Sequence, residues 1–134
     1  MKQLKRISTV FVLTILLSAT HTFAQTQLEM NQDARDDYKK AETELNSIYQ
    51  QILKEYAADT SFISHLKAAE RLWIKFRDAE LSMKYPEAEY YGSVQPMCQA
   101  NYLEQLTRDR IETLKVWVDG IEKGDVCSGS VKDK

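Results

Sequence analysis

From Gln25 to Tyr85 the chain contains neither proline nor glycine. These are the residues that most strongly punctuate a polypeptide, so a stretch of this length without them predicts long helices. Thr26-Gln27-Leu28-Glu29 fits a capping box, in which a Thr hydroxyl and a Glu carboxylate satisfy the donors a new helix leaves open. Beyond it Ala34, Tyr38, Ala41, Leu45, Ile48, Ile52 and Tyr56 recur at steps of three and four, which puts them on one face of a long first helix. Asp59-Thr60-Ser61 interrupts the pattern with capping residues. A second helix follows with the stripe Phe62, Leu66, Ala69, Trp73, Phe76 and Met83, and Tyr85-Pro86 stops it, because the residue before a proline avoids helical dihedrals.

The connection from Tyr85 to Ser93 is polar and aromatic, carrying Glu87, Glu89, Tyr90 and Tyr91 before Gly92. Ser93 is placed to cap a third helix, and Pro96 is tolerated in its first turn, where the missing amide has no partner to lose. Met97, Leu103, Leu106, Ile111, Leu114, Val118 and Ile121 carry the third apolar face, with Gly120 or Gly124 as the stop. Residues 125–134 read as a frayed tail. With no strand alternation, the expected fold is all-α: an antiparallel three-helix bundle with a short loop before the third helix.

The first residues read as an address. Lys2, Lys5 and Arg6 precede an apolar run from Ile7 to Leu17, and Thr22-Phe23-Ala24 offers small residues at the −3 and −1 positions of a cut after Ala24. That is the layout of a secretory signal peptide, and the run is shorter than the ~20 residues a membrane span needs. The division is therefore 1–24 signal peptide, 25–124 helical domain and 125–134 C-terminal tail. No cysteine near the cut provides for a lipid anchor, so the mature chain is expected to be exported, periplasmic or secreted, and free of the membrane. Losing three bases and no acids takes the formal charge from −2 to −5. Nucleic acid is excluded as a partner for want of a basic footprint. A cationic protein partner suits the charge, with the gain mainly in association rate.

A catalyst is not expected. One histidine remains after the signal, His65, and the two cysteines are far apart, which provides no metal or haem set of usual spacing and no cofactor site. There is no glycine-rich phosphate loop and no serine nucleophile elbow.

Trp73 and Arg77 are one helical turn apart, so the guanidinium can lie near the indole face. Arg77 or Arg110 can then pair with Asp78 or another acid across the bundle, fixing how the second and third helices meet. The bundle-fixing role comes first, because a buried arginine is costly unless paired. Direct contact with a partner is the alternative.

Four segments in order carry a family resemblance. They are Ala41-Glu42-x-Glu44-Leu45-Asn46-x-x-Tyr49, then Ala69-x-Arg71-x-Trp73-x-x-x-Arg77-Asp78-Ala79-Glu80, then Gly92-Ser93, and then Tyr102-Leu103-x-x-Leu106-Thr107-x-x-Arg110-x-x-x-Leu114. Together they resemble the LprI-like lysozyme-inhibitor domain family. The resemblance implies an exported helical domain that binds protein, with Trp73, Arg77, Asp78, Gly92, Thr107 and Arg110 as its structural motif. For the member that names the family it implies inhibition of lysozyme. Many members carry cysteines where this chain has Leu81 and Tyr102, a bridge that would tie the second helix to the third. Here the cysteines are Cys98 and Cys127 instead. An oxidising compartment favours pairing them. A continuous third helix opposes it, because it would carry the chain ~36 Å from Cys98 at ~1.5 Å per residue, and the five residues to Cys127 retrace only ~17 Å. Both outcomes stay open at this level.

Two functional readings follow. The first is an inhibitor of a cationic lysozyme, binding through Tyr85, Glu87, Glu89, Tyr90, Tyr91 and Ser93. Aromatic rings can fill a cleft at low entropic cost while the acids meet basic residues on its rim. The second is an envelope structural or adaptor module without lysozyme activity, in which the tyrosines only staple the loop to the bundle.

Overall fold

The computed structural model describes residues 2–87 and 90–134, with side chains from Thr26 onward. Glu89 and the side chains of the expected signal segment, 1–24, lie outside the described residues. The order is α1 (Lys2–Glu55), α2 (Thr60–Lys84), a 3-10 turn (Gly92–Val94) and α3 (Gln95–Asp119). There is no strand among the described residues, and the chain folds as an all-α bundle of three helices. The run free of proline and glycine becomes the larger part of α1 and all of α2.

The boundaries follow local chemistry. Asp59 caps α2, its carboxylate accepting the Phe62 amide at 2.9 Å. Tyr85 ends α2 before Pro86, and Pro96 sits in the first turn of α3. Gly120 ends α3 at φ 72°, and a Cβ there would lie 2.8 Å from the Lys132 carbonyl oxygen. With residues 1–24 present, α1 runs from Lys2 through the start expected at Thr26. With helical backbone continuing upstream, the amides of that turn already have intrahelical acceptors and nothing is left to cap.

Asn31 near the beginning of the packed part of α1 lies beside Ser93, and Tyr56 near its end lies beside Trp117 at the end of α3. Helices α1 and α3 are therefore parallel, with α2 running against both. They make the closest contact in the bundle although they are not consecutive. Small side chains permit this, since Ala34, Ala41, Ala100 and Thr107 are all buried there. Leu45, Ile48, Ile52, Ile111 and Leu114 form the apolar core with Leu66 of α2, and Tyr49, Phe62, Trp73 and Trp117 pack around it. The expected face of α1 is thus observed; on α3 Ile111 and Leu114 are buried as expected, Met97, Leu103, Leu106 and Val118 are half-buried, and Gln95, Ala100 and Thr107 take the other buried positions.

The expected face of α2 is not observed. Phe76 is 54% exposed, Met83 is 69% exposed, and Ala69 is also exposed. The side that turns inward is Phe62, Leu66, Glu70, Trp73, Arg77 and Glu80, so two of the apolar positions are displaced by a neighbouring charged residue. Those charges are satisfied by partners on α1 and α3, and that pairing, not apolar burial, sets the rotation of α2.

The tail is corrected too, because residues 120–134 are docked. The Ile121 amide donates to the Lys132 carbonyl at 3.0 Å, and the Lys134 amide to the Ile121 carbonyl at 2.9 Å. Trp117 Nε1 donates to Ser130 Oγ at 3.0 Å, and Lys132 bonds the Glu55 carboxylate. The Tyr56 hydroxyl donates to the Trp117 carbonyl and accepts the Lys132 amide. Cys98 and Cys127 are both free. Cys98 lies in the first turn of α3, and Cys127 in the tail beyond the end of that helix.

Candidate functional site

The connection between α2 and α3 is built on a fixed base. Gly92 takes φ 66°, a left-handed conformation that suits glycine, and turns the chain into the 3-10 segment. The Ser93 carbonyl accepts Asn31 Nδ2 of α1 at 3.0 Å, and Asn31 is itself held by Gln27 Nε2. The buried Gln95 side chain reaches back to the Glu87 carbonyl at 3.5 Å. Ser93 does not cap α3 as expected: Val94 occupies that position without a side-chain cap, and Ser93 contributes only its carbonyl.

The tyrosines form an edge-to-face chain. Tyr85 meets Tyr91 at 5.4 Å between centroids, and Tyr91 meets Tyr90 at 5.1 Å. Tyr85 is half-buried, and burial raises its hydroxyl pKa, with the Cys98 thiol and Tyr91 adding to the effect. Tyr90 is 73% exposed at the end of this chain. The stack limits how far the rings can move, and a pre-ordered aromatic surface loses little entropy when it is covered.

The Trp73 cluster is the second assembly. Both Arg77 and Arg110 place their guanidinium groups over the indole, at 5.4 and 5.9 Å from its centroid. Arg77 bonds Asp78 at 2.9 Å and reaches Glu42 of α1 at 3.4 Å. Arg110 holds Glu70 through two bonds to one carboxylate oxygen, Nε at 3.0 Å and Nη2 at 2.9 Å. The Glu42 carboxylate also accepts the Tyr38 hydroxyl at 2.6 Å, and burial followed by that hydrogen bond raises the Tyr38 pKa. One indole thus carries two cations whose acids lie on α1 and α2, joining all three helices.

A third set of contacts links α2 to α3. The Tyr102 hydroxyl donates to Glu80 at 2.9 Å, and Lys84 Nζ lies 3.7 Å from the Tyr102 ring centroid. Tyr102 therefore ties the end of α2 to the start of α3.

Of the expected site residues, Tyr85, Tyr90 and Tyr91 come together in one assembly with Gly92 and Ser93 beside them. Trp73, Arg77, Asp78 and Arg110 come together in the other. Thr107 joins neither; it is fully buried, and among the described residues its hydroxyl has no hydrogen-bond partner. Glu70 was missed, because an acid among apolar positions of α2 reads as a surface residue. Its spacing of three from Trp73 and seven from Arg77 was the available signal. Among the described residues no group of three or more His, Cys, Asp or Glu could hold a metal ion, and no helix is long and apolar enough to cross a membrane.

The fold and this two-arginine clasp define a class of small, all-helical domains closed by charge pairs around one tryptophan. The chain belongs to the lysozyme inhibitor LprI family, whose model matches residues 18–114. It is also similar to an uncharacterized protein of Rhizobium meliloti (strain 1021), at 34% identity over 110 residues, which cover 74% of this chain and 78% of that one. No solved structure matches.

Proposed function

We propose that the chain is exported after loss of residues 1–24 and inhibits a lysozyme by inserting the Tyr85–Ser93 connection into the enzyme's cleft. Family membership supports the class of target, and the single observation that carries the choice of surface is Tyr90, exposed at the end of a tyrosine stack on a pinned turn. Tyr90 and Tyr91 are the anchors in this reading. Glu87 and Glu89 meet basic residues on the rim, acting mainly on association rate. The domain has a binding role and no catalytic one. Replacing Tyr90 and Tyr91 together with Ala should leave helicity unchanged and weaken inhibition of cell-wall lysis by about 2 kcal/mol or more, the usual effect of central aromatic anchors. Full inhibition by that variant would remove the connection from the interface.

A second reading, an envelope adaptor, is favoured by the exposed α2 side chains Leu72, Phe76 and Met83, which share one side of the helix. Absence of any complex with lysozymes at tens of micromolar, about the weakest affinity of use to an inhibitor, would favour it.

A further inference from the structure

Helices α1 and α2 do not close along their whole length. A cleft of about 440 Å³ opens between them, within the size range of small-molecule sites. Leu45 and Ile74 give it apolar walls, and Tyr49 and Trp73 also line it. The carboxylates within it are already engaged, Glu42 by Tyr38 and Arg77, and Glu70 by Arg110. Four other lining groups are not. Among the described residues, neither the Lys67 ammonium, the Arg71 guanidinium, the Asn46 amide nor the Tyr49 hydroxyl has a hydrogen-bond or ion-pair partner.

These free groups are arranged in register. Lys67 and Arg71 are one turn apart on α2, and Asn46 and Tyr49 are three residues apart on α1, so each pair forms one rim. Arg71 is also close enough to act electrostatically on the Tyr49 hydroxyl. In an acidic chain the cleft presents two unpaired cations above apolar walls, with neutral donors opposite.

We propose that this cleft binds a small amphipathic carboxylate, an acid whose apolar body lies against Leu45 and Ile74 while its carboxylate meets Lys67 and Arg71. Arg71 supplies the directional contact, because its planar fork matches a carboxylate, and Lys67 supplies charge. Arg77 and Arg110 both lie over the Trp73 ring, so a ligand competes with them for it, and Leu45 and Ile74 supply the apolar contact. None of the lining residues belongs to the Tyr85–Ser93 connection, and the site stands or falls apart from the inhibitor reading.

The test is titration of the full domain with 4-phenylbutyrate, followed by NMR of the two tryptophan indole N–H signals. The expected result is a Kd of about 1 mM or tighter, with the Trp73 signal shifting and the Trp117 signal still. The neutral probe 4-phenylbutanamide should bind at least about tenfold more weakly, and Lys67→Gln with Arg71→Gln should produce a similar loss. Both side chains are exposed, so the melting temperature of that variant should be unchanged. No shift at either indole, a shift at Trp117 alone, or equal binding of acid and amide would each overturn the proposal. Binding unchanged in the double variant would do so as well.

Discussion

The two contacts that α1 makes are built on different physics. Against α3 it packs small and aliphatic side chains at close range, and nearly all of that stripe is buried. Against α2 it meets one aliphatic patch around Leu66 and then an arginine clasp, with an open cleft between the helices. Close apolar packing stabilises by area and tolerates rotation only where volumes still fit. A charge clasp sets orientation through bond geometry and leaves space beside it. One helix can thus be anchored firmly while its neighbour is held at a distance, and the cleft is the result.

The sharpest way to break the comparison is in the apolar contact. Ile52→Ala should cost about 3–4 kcal/mol, because a fully buried side chain leaves a cavity that a close-packed pair cannot collapse. Chemical denaturation measures this, and a loss under about 1 kcal/mol would show that the α1–α3 contact is plastic.

Slightly smaller is the effect expected in the clasp. Glu70→Ala should cost about 3 kcal/mol, since Arg110 would be left with its side chain 15% exposed and its charge uncompensated. The comparison sharpens if Glu70→Gln retains most of the stability, as one hydrogen bond survives. A neutral Glu70→Ala would mean that Arg110 finds water instead.

Thr107 gives a change of opposite sign. Its hydroxyl is buried without a partner among the described residues, on the stripe shared with Ala100, Ile111 and Leu114. Thr107→Val replaces it with a methyl of similar size, and stability should rise by about 1 kcal/mol, the lower end of the cost of an unsatisfied buried group. A melting temperature that falls would show that the hydroxyl has a partner in solution.

The smallest effect is expected at Phe76. Replacement with Ala should change stability by no more than about 0.5 kcal/mol, as for an exposed position. A loss of several kcal/mol in thermal denaturation would restore Phe76 to the core and with it the apolar register first expected for α2.

Much of this fold was legible in the residues. Helix spans depended on punctuation: Asp59, Pro86, Pro96 and Gly120 each act through their own backbone or side chain, so their effects are local and readable. The face of α1 was equally plain, because every third or fourth residue is apolar or small, whereas on α3 Ile111 and Leu114 were readable and the small or polar Gln95, Ala100 and Thr107 were not. The face of α2 was not, since periodicity weighs hydrophobicity and cannot weigh whether Glu70 and Arg77 will find partners on helices distant in sequence. The tail was misread for a related reason. Its sequence carries no periodic signal, and it is ordered by bonds to Tyr56, Glu55 and Trp117, which only the closed bundle brings together. The tyrosines of the connection were named from composition, but their edge-to-face order and the Asn31 clamp beneath them were not foreseeable.

By itself the sequence determined the class of the chain: three helices, the ends set by Asp59, Pro86 and Gly120, the order of the family's segments and the apolar face of α1. These follow from intrahelical geometry and hydrophobic spacing, which act over a few residues. The tertiary structure decided the rotation of α2, the two arginines over Trp73, the free thiols of Cys98 and Cys127 and the cleft beside Lys67 and Arg71. Each depends on charges and rings that meet across helices, and the energy of such a contact is defined only once both partners have been placed.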